Sequence, residues 1–476
     1  MLNINTIQWG NDSAEKDPNL LEYFVNHPSL KRLYSRSKTF IIGRKGAGKS
    51  AIKRKIVDQF RGWEDNYIVD INPTFNIFSN LISDNEIRDN FNQEVFFQYV
   101  WLNYLFKKAH IEIGQNPKNA TKTFTFSHLL AVQNNLREKS LLESAKEIIS
   151  KVRVKAGKLG ELGIDIEKTL RADAEVEVYE HHLKEICDAG YKITWIVDDL
   201  DLGWNNSDIA NNLLLGLLTC ANYIKTISTN LHLFICLRED VYRILLTHTQ
   251  HSDKYRDIEK IYWSTEDLVN LLQSRINYNL KLQRIPEQPL NFSLVFPETI
   301  GTTATQKWLI ERTLSRPREL LQLVRLYTER VGNNTPNSET LKLVEQEYSN
   351  WKLEDLTTEY SNQYPNLYEL FKFWRSKFYR QKYSLKKPEF DDMFLEMAAS
   401  LNIAMQWYMD SVNSLDSRRL LKILYEIGFI GDFILGGAGG SRTIYSFEEV
   451  HEPILDAFQI HPCFRKALGT VERIRN

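Results

Sequence analysis

Cysteine is scarce in this sequence, and the few cysteines are too far apart to suggest a metal cluster or a disulfide framework. Four occur among 476 residues, at Cys187, Cys220, Cys236 and Cys463, and none forms a Cys-x-x-Cys pair. Disulfide-rich secreted domains and structural zinc sites need cysteines at short, regular spacings. We therefore expect a protein of a reducing compartment, without a structural zinc site.

Long apolar runs are also missing. A membrane-spanning helix needs roughly 20 predominantly apolar residues, whereas the best candidate, residues 213–221, is much shorter and is typical of a buried helix. The first residues, MLNINTIQWG, lack the basic start and apolar core of a signal peptide. We expect a cytoplasmic protein that makes no use of a membrane.

An excess of charge of either sign is absent as well. The formal net charge is −1, so the molecule as a whole does not attract nucleic acid, and such a role would need a local basic patch. The composition is 43% hydrophobic and 12% aromatic, which argues against wholesale disorder. The length is enough for about two to four domains.

Short apolar segments that alternate with helical patterns predict a parallel sheet covered on both faces. Between the second and third segments lies a long stretch without a convincing strand, about 74–190, which we interpret as a helical insertion with a flexible break at 155–163. Ser264 and Asp267 have capping-box spacing and indicate a helix start. The predicted strands are 39–43, 67–71, 193–197, 233–237 and 261–263.

Residues 43–50 read GRKGAGKS and match G-x-x-x-x-G-K-[ST] at every fixed position. The glycines let the backbone wrap around phosphate oxygens, and the following helix, which begins at about Lys49, directs its positive end at the anion. Lys49 should reach the β- and γ-phosphates and Ser50 should bind Mg²⁺, so we predict ATP and Mg²⁺ as cofactors. The predicted nucleotide-binding residues are Gly43, Arg44, Lys45, Gly46, Ala47, Gly48, Lys49, Ser50 and Ala51.

The segment ITWIVDDLD, 193–201, supplies the acids that such a loop needs. One carboxylate must hold Mg²⁺ through water and another group must orient the attacking water, and both should lie at the end of a strand beside the P-loop strand. We predict that Asp198 is the Mg²⁺ partner and that Asp199 polarises water, while Asp201 is a candidate for orienting a neighbour. The alternative is a strand that ends in a solvated acidic turn.

Through the segments IIGRKGAGKSA and IVDDLD, the sequence resembles bacterial P-loop ATPases of the KAP and STAND groups, which are relatives of the AAA+ ATPases. The resemblance covers roughly residues 15–330. It departs from KAP proteins in one respect, because their insertion often carries membrane spans and this one has none. The implied fold is α/β, with a RecA-like or AAA+-like parallel-sheet core, a helical lid and a C-terminal region. We place their bounds at 1–276, 277–338 and 339–476.

The resemblance also assigns sensing roles to arginines. In STAND-like ATPases a polar or arginine residue at the end of the fourth strand senses the γ-phosphate, which corresponds to Arg238. The segment SRPRELLQL, 315–323, is similar to the AAA+ helix whose arginine reaches back to the nucleotide, which implies Arg318 first and Arg316 second. The alternatives are an Arg238 paired with Glu239 or another surface acid, and a solvated helix N-terminus at Arg318.

Two features of the C-terminal region favour a binding surface. The segment FKFWRSKFYRQKYSLKK, 371–387, holds seven basic residues and no acid, with interleaved aromatics that suit nucleic acid. Its aromatics at 371, 374 and 378 also have helical spacing, so the alternative is a core helix with a solvated basic side. A helix at 414–428 followed by two β segments at 431–449 is the outline of a winged helix.

Together these features predict an ATP-binding and ATP-hydrolysing molecular switch or motor, in which nucleotide state sets the angle between core and lid. Proteins of this appearance often act in phage defence or DNA transactions, which is family analogy only. The alternatives are a DNA-binding initiator- or loader-like ATPase and a nucleotide-regulated protein-interaction module. DNA, bound through 371–387 or the winged-helix-like region, a partner effector protein and a second copy of the chain all stay open as partners.

Overall fold

The computed structural model describes residues 2–73, 94–116, 122–133, 140–159, 174–286, 291–332, 335–401, 403–436, 440–448 and 451–471. The described chain divides into two compact units. One is Asn26–Ile261, and the other consists of Met1–Val25 together with Tyr262–Asn476. The domain bounds predicted from the sequence stay a prediction, since part of the expected insertion lies outside the described residues.

Five parallel strands form the central sheet of the unit 26–261. In chain order they are β1 (Phe40–Gly43), β2 (Asn66–Ile71), β3 (Lys192–Val197), β4 (Leu231–Arg238) and β5 (Ile258–Lys260). In space their order is β2-β3-β4-β1-β5. Every residue of β1 and β4 is buried, as expected of strands covered on both faces.

Helices of the same unit cover the sheet. They are α1 (Ser29–Tyr34), α2 (Lys49–Arg61), α3 (Glu94–Gln115), α4 (Thr125–Gln133), α5 (Leu141–Leu159), α6 (Ala174–Asp188), α7 (Asp208–Ile227) and α8 (Glu239–Thr247). The apolar run at 213–221 lies in α7, which is buried along most of its length and packs against α3. Gly216 makes this close approach possible, because a Cβ there would lie 2.7 Å from the backbone nitrogen of Gln98.

The strand and helix predictions are confirmed for most elements, with two corrections. The fifth strand is Ile258–Lys260 rather than 261–263. Its pairing with β1 ends at the hydrogen bond from the Ile261 amide to the Ile42 carbonyl. The expected flexible break at 155–163 is helical up to Leu159, where α5 ends, and the rest of it lies outside the described residues.

The second unit is mainly helical. Its helices are α9 (Thr265–Leu282), α10 (Thr305–Glu311), α11 (Pro317–Arg330), α12 (Ser338–Glu359), α13 (Leu367–Phe378), α14 (Lys387–Ser400), α15 (Gln406–Asn413), α16 (Ser417–Glu426) and α17 (Pro462–Leu468). The predicted capping box at the start of α9 is present, since Ser264 and Asp267 exchange both hydrogen bonds. None of the helices in the described residues is both long and apolar enough to cross a membrane.

Short strands complete the second unit. Besides the two-residue strands β6 (Thr299–Ile300) and β7 (Thr303–Ala304), they are β8 (Ser384–Lys386), β9 (Ile430–Ile434), β10 (Arg442–Ile444) and β11 (Ala457–Ile460). The last four form an antiparallel sheet in the order β10-β9-β11-β8. Helix α16 followed by the β9–β10 hairpin is the predicted winged-helix-like arrangement. The fold class is therefore the predicted one: an α/β, RecA-like P-loop core and a helical, winged-helix-like C-terminal region.

A buried ion-pair network joins α11 to α12 within the second unit. Lys352 is fully buried, and its Nζ lies 2.8 Å from carboxylate oxygens of both Glu319 and Asp355. Arg316 is 2% exposed and donates to Glu359 at 2.7 Å. Since an unpaired charge in such a place would be very unfavourable, these residues must be buried together.

We expect Lys352→Ala to lower the free energy of unfolding by about 3–5 kcal/mol, because the loss of one partner leaves buried carboxylates uncompensated. Urea denaturation followed by tryptophan fluorescence measures the change. The matched control is Lys342→Ala, whose partner Glu339 is well exposed, and it should cost less than about 1 kcal/mol. Equal effects of the two substitutions would show that the network contributes no more than a surface pair.

Candidate nucleotide-binding site

The loop 43–50 connects β1 to α2 and has the backbone of a phosphate cradle. Gly46 and Gly48 have φ of +77° and +89°, which side chains rarely tolerate. Helix α2 begins at Lys49, as predicted, and Gly48 provides no side chain to cap it. The amide groups of its first turn are therefore available to an anion, which the helix dipole also favours.

Lys49 places a positive charge over this loop. Its Nζ donates to the carbonyl oxygens of Gly43 at 3.0 Å and Arg44 at 3.3 Å. The side chain therefore folds back onto the start of the loop. Its contact to the β- and γ-phosphates stays a prediction.

Asp198 is the buried acid of the site. It is 3% exposed, its Oδ1 accepts the backbone amide of Asp199 at 2.9 Å, and its Oδ2 accepts no hydrogen bond from the described residues. Burial raises the pKa of Asp198, although Lys53, Lys49 and the Ser50 hydroxyl all act to lower it. The structure thus brings Asp198 together with Ser50 and Lys49, as the sequence predicts.

These oxygens fit a magnesium ion. Mg²⁺ prefers hard oxygen ligands, is commonly held by one or two carboxylates and keeps several waters. A serine hydroxyl and a buried carboxylate with an unused oxygen are such ligands, and both face the end of the phosphate loop. Ser50 and Asp198 are therefore the residues that would hold the ion.

The strand that carries Asp198 does not lie beside the P-loop strand, contrary to the prediction. β4 lies between them and pairs with both, Phe40 with Ile235 on one side and Val197 with Ile235 on the other. Asp198 still reaches the loop because α2 also packs on β2, at the far side of β3. Lys49, Ser50 and Lys53 of this helix are accordingly among the groups that act to lower the pKa of Asp198.

Lys53 is a site residue that the sequence interpretation missed. It lies one turn after Lys49, is 5% exposed, and its Nζ contacts Asp70 at 2.6 Å and Asn72 at 2.5 Å. Burial acts to lower its pKa, but Asp198 and Asp70 outweigh this effect and the pKa is raised. The sequence did contain a signal for it. Lys53 follows Lys49 by four residues, which places it on the side of α2 that also holds Ile52 and Ile56.

Asp199, Asp201 and Arg238 line the same edge of the sheet. Asp199 has φ of +59°, a strained conformation for a residue other than glycine. Arg238 donates to Asp240 at 3.1 and 2.7 Å and lies 3.7 Å from Asp201. Arg238 is therefore paired with acids, as in the alternative interpretation, but the acids are Asp240 and Asp201 rather than Glu239. The roles of Asp199 in polarising water and of Arg238 in sensing phosphate stay predictions.

A second ion-pair group, centred on Glu239, crosses the end of β1. The Oε1 of Glu239 accepts from Lys260 and from Arg243, each at 2.8 Å. Since β4 and β5 flank β1, the pair between Glu239 and Lys260 lies across the point where the P-loop leaves the sheet. Burial alone would raise the pKa of Glu239, but Lys260, Arg243 and the P-loop residue Arg44 lower it to about 2.

The two candidate sensing arginines of α11 have different surroundings. Arg316 belongs to the buried network with Glu359 and Glu319. Arg318 is half-buried, and its Nε donates no hydrogen bond to the described residues. Arg318 therefore stays the better candidate of the two, and its sensing role remains a prediction.

Comparisons with known proteins give one family model and one curated relative. A family model described as the FunZ-associated C-terminal helical domain matches residues 266–357. A curated Escherichia coli (strain K12) protein, "Putative transposon gamma-delta 80.3 kDa protein", is 22% identical over 96% of this chain. This chain spans 66% of that relative's length.

Three solved structures are also similar to this chain. The Aeropyrum pernix ORC1 protein, solved in complex with DNA, is 13% identical with a TM-score of 0.38, over 93% of this chain and 92% of that one. The Aeropyrum pernix ORC2 protein is 11% identical with a TM-score of 0.37, over 95% and 97%. Cdc6p from Pyrobaculum aerophilum is 10% identical with a TM-score of 0.32, over 93% of each chain.

The lowered pKa of Glu239 predicts how the stability of the fold depends on pH. Its pKa is about 2 in the folded protein against an ordinary 4.5, so it stabilises the fold above about pH 4.5 and loses this contribution as the pH falls toward 2. We expect Glu239→Gln to lower the free energy of unfolding at neutral pH by about 3 kcal/mol, with the difference from wild type shrinking below pH 4.5.

Urea denaturation at several pH values measures this difference. The control is Glu369→Gln, which removes an exposed carboxylate paired with Lys372 and should change little at any pH. A Glu239→Gln variant whose destabilisation is the same at all pH values would contradict the assigned ion pairs.

Proposed function

We propose that this protein binds ATP with Mg²⁺ at the loop 43–50 and hydrolyses it as a nucleotide-driven switch. The observation that carries the proposal is the buried carboxylate of Asp198, with an unused oxygen, beside Ser50 and Lys49 at the mouth of a phosphate cradle. A phosphate-binding loop alone would suit many anions, whereas a carboxylate oxygen without a hydrogen bond beside the loop suits a bound cation, in addition to the balancing charges of Lys53 and Lys49.

Each residue has a distinct task in this proposal. The first-turn amides of α2 and the ammonium group of Lys49 bind and orient the phosphates. Ser50 and Asp198 hold Mg²⁺, which supplies positive charge against the phosphoryl oxygens. Asp199 orients the attacking water and takes its proton, and Arg238 and Arg318 respond to the γ-phosphate.

A second candidate function is a nucleic-acid-binding ATPase of the initiator or loader kind. It is favoured by the basic segment 371–387, most of whose basic side chains are exposed. A role in phage defence rests on the family resemblance alone, and a partner effector protein and a homo-oligomer are also predictions.

We expect Lys49→Ala to abolish ATP hydrolysis and to weaken ATP binding by about tenfold or more, because the variant loses the cation that the loop holds over the phosphates. Isothermal titration with ATP and steady-state phosphate release measure the two effects. Lys55→Ala is the control, since its partner Asp58 is exposed on the same helix. Unchanged turnover in Lys49→Ala would remove the assignment of the loop.

The two acids should differ in their effects. Asp199→Asn should keep Mg·ATP binding and stop hydrolysis, since an amide cannot accept the proton of water, whereas Asp198→Asn should raise the Mg²⁺ concentration needed for half-maximal activity. Phosphate release measured across a Mg²⁺ titration separates the two. Identical behaviour of the two variants would show that Asp198 and Asp199 do not have the separate roles assigned to them.

A further inference from the structure

The C-terminal part of the second unit has two faces that each carry several basic residues. One is the solvent side of α16, which follows the outline of a winged helix and carries Arg418, Arg419 and Lys422. The other is the end of α13 and the turn that leads to β8, residues 375–382, which we call the basic turn. The two faces differ in how their charges are balanced.

Every basic side chain on the exposed side of α16 has an acidic partner. Arg418 lies 3.2 Å from Asp456, Arg419 lies 2.5 Å from Asp410, and Lys422 lies 3.3 Å from Glu452. A single exposed ion pair is weak, so pairing alone would not stop these basic side chains from leaving their acidic partners to contact phosphate. The net charge around the helix has the larger effect on whether phosphate binds there.

Acids outnumber bases around α16. Asp416 caps the helix and Glu426 ends it, and both line the same groove as the three basic residues. Together with Asp410, Glu452 and Asp456 they give five acids against three bases. A phosphate backbone brought to this face would therefore meet a net negative field.

The basic turn has the opposite balance. Arg375, Arg380 and Lys382 are exposed, and no carboxylate among the described residues lies within ion-pair distance of them. Lys377 pairs with Glu396. Within the described part of the chain, three charges are thus available for contact without breaking an ion pair.

Packing explains why these charges point outward. Phe371, Trp374 and Phe378 are buried and form the core face of α13, so the core interpretation of their helical spacing is confirmed. The basic residues on the other side of the helix stay in solvent. Tyr379 is 60% exposed, and the guanidinium of Arg380 lies over its ring at 5.3 Å, which leaves an aromatic surface beside the charges.

The backbone of the basic turn is held in place by the end of the chain. The amide of Arg380 donates to the carbonyl of Gly469 at 2.8 Å, and the amide of Val471 donates to the carbonyl of Gln381 at 2.9 Å. A surface whose backbone is fixed loses less conformational entropy on binding than a mobile loop does.

We propose that a nucleic-acid strand binds through its phosphates to the basic turn, with Arg375, Arg380 and Lys382 as the contacts, and that α16 makes no phosphate contacts. This deepens the second function proposed above and rests on it. It places the nucleic acid away from the helix that a winged-helix outline would suggest.

The test compares two triple variants of the full chain that each lose three positive charges. One is Arg375→Gln, Arg380→Gln and Lys382→Gln, and the control is Arg418→Gln, Arg419→Gln and Lys422→Gln. Fluorescence anisotropy with a labelled duplex, and with one of its strands, gives the affinity at several salt concentrations in the presence of Mg·ATP. Circular dichroism and the ATPase rate without nucleic acid check that both variants fold.

Loss of three phosphate contacts should make the log–log salt dependence shallower by about 2.7 on duplex, or about 2.1 on a single strand. We expect this change in the basic-turn variant and an unchanged slope in the α16 variant. A shallower slope in the α16 variant alone, or in both, overturns the inference but keeps nucleic-acid binding. Wild type that binds neither probe at low salt overturns the second proposed function together with it.

Discussion

The buried carboxylate of Asp198 is the constraint on which the nucleotide site depends. A charge removed from water is stable only if cations and hydrogen-bond donors replace the lost hydration. Here the replacement comes from one helix, since Lys49, Ser50 and Lys53 lie within the first two turns of α2. The helix that offers its amides to phosphate therefore also holds the acid that would bind the metal.

The sheet supports this arrangement on the other side of the loop. β4 separates the strands of the P-loop and of Asp198, and at its end Arg238 faces Asp201 and Asp240 while Glu239 reaches across to Lys260 on β5. Acids and bases thus alternate along the edge of the sheet where the loop leaves it. Such an edge keeps its own charges balanced and leaves Lys49 to face the phosphates.

Local signals in the sequence predict most strands and helices, and with them the places of the loop after β1 and of Asp198 after β3, because glycine spacing, apolar runs and capping residues act over a few positions. The binding roles of these residues stay predictions. The neighbour of β1 was mispredicted because strand order depends on contacts between distant segments. Lys53 was missed because a lysine in KRK is usually solvated, and its burial follows only from Asp70 and Asp198. On α16 the acids that offset the arginines include Glu452 and Asp456, about 30 residues away, so charge balance there needed the fold.

Electron paramagnetic resonance of Mn²⁺, used in place of Mg²⁺, tests the central claim most directly. The account predicts that the protein binds Mn²⁺ tightly only when ATP is present, that the bound ion shows ³¹P coupling to the β- and γ-phosphates, and that Asp198→Asn weakens this binding. Mn²⁺ that binds equally well without ATP, or a signal without phosphorus coupling, would contradict it.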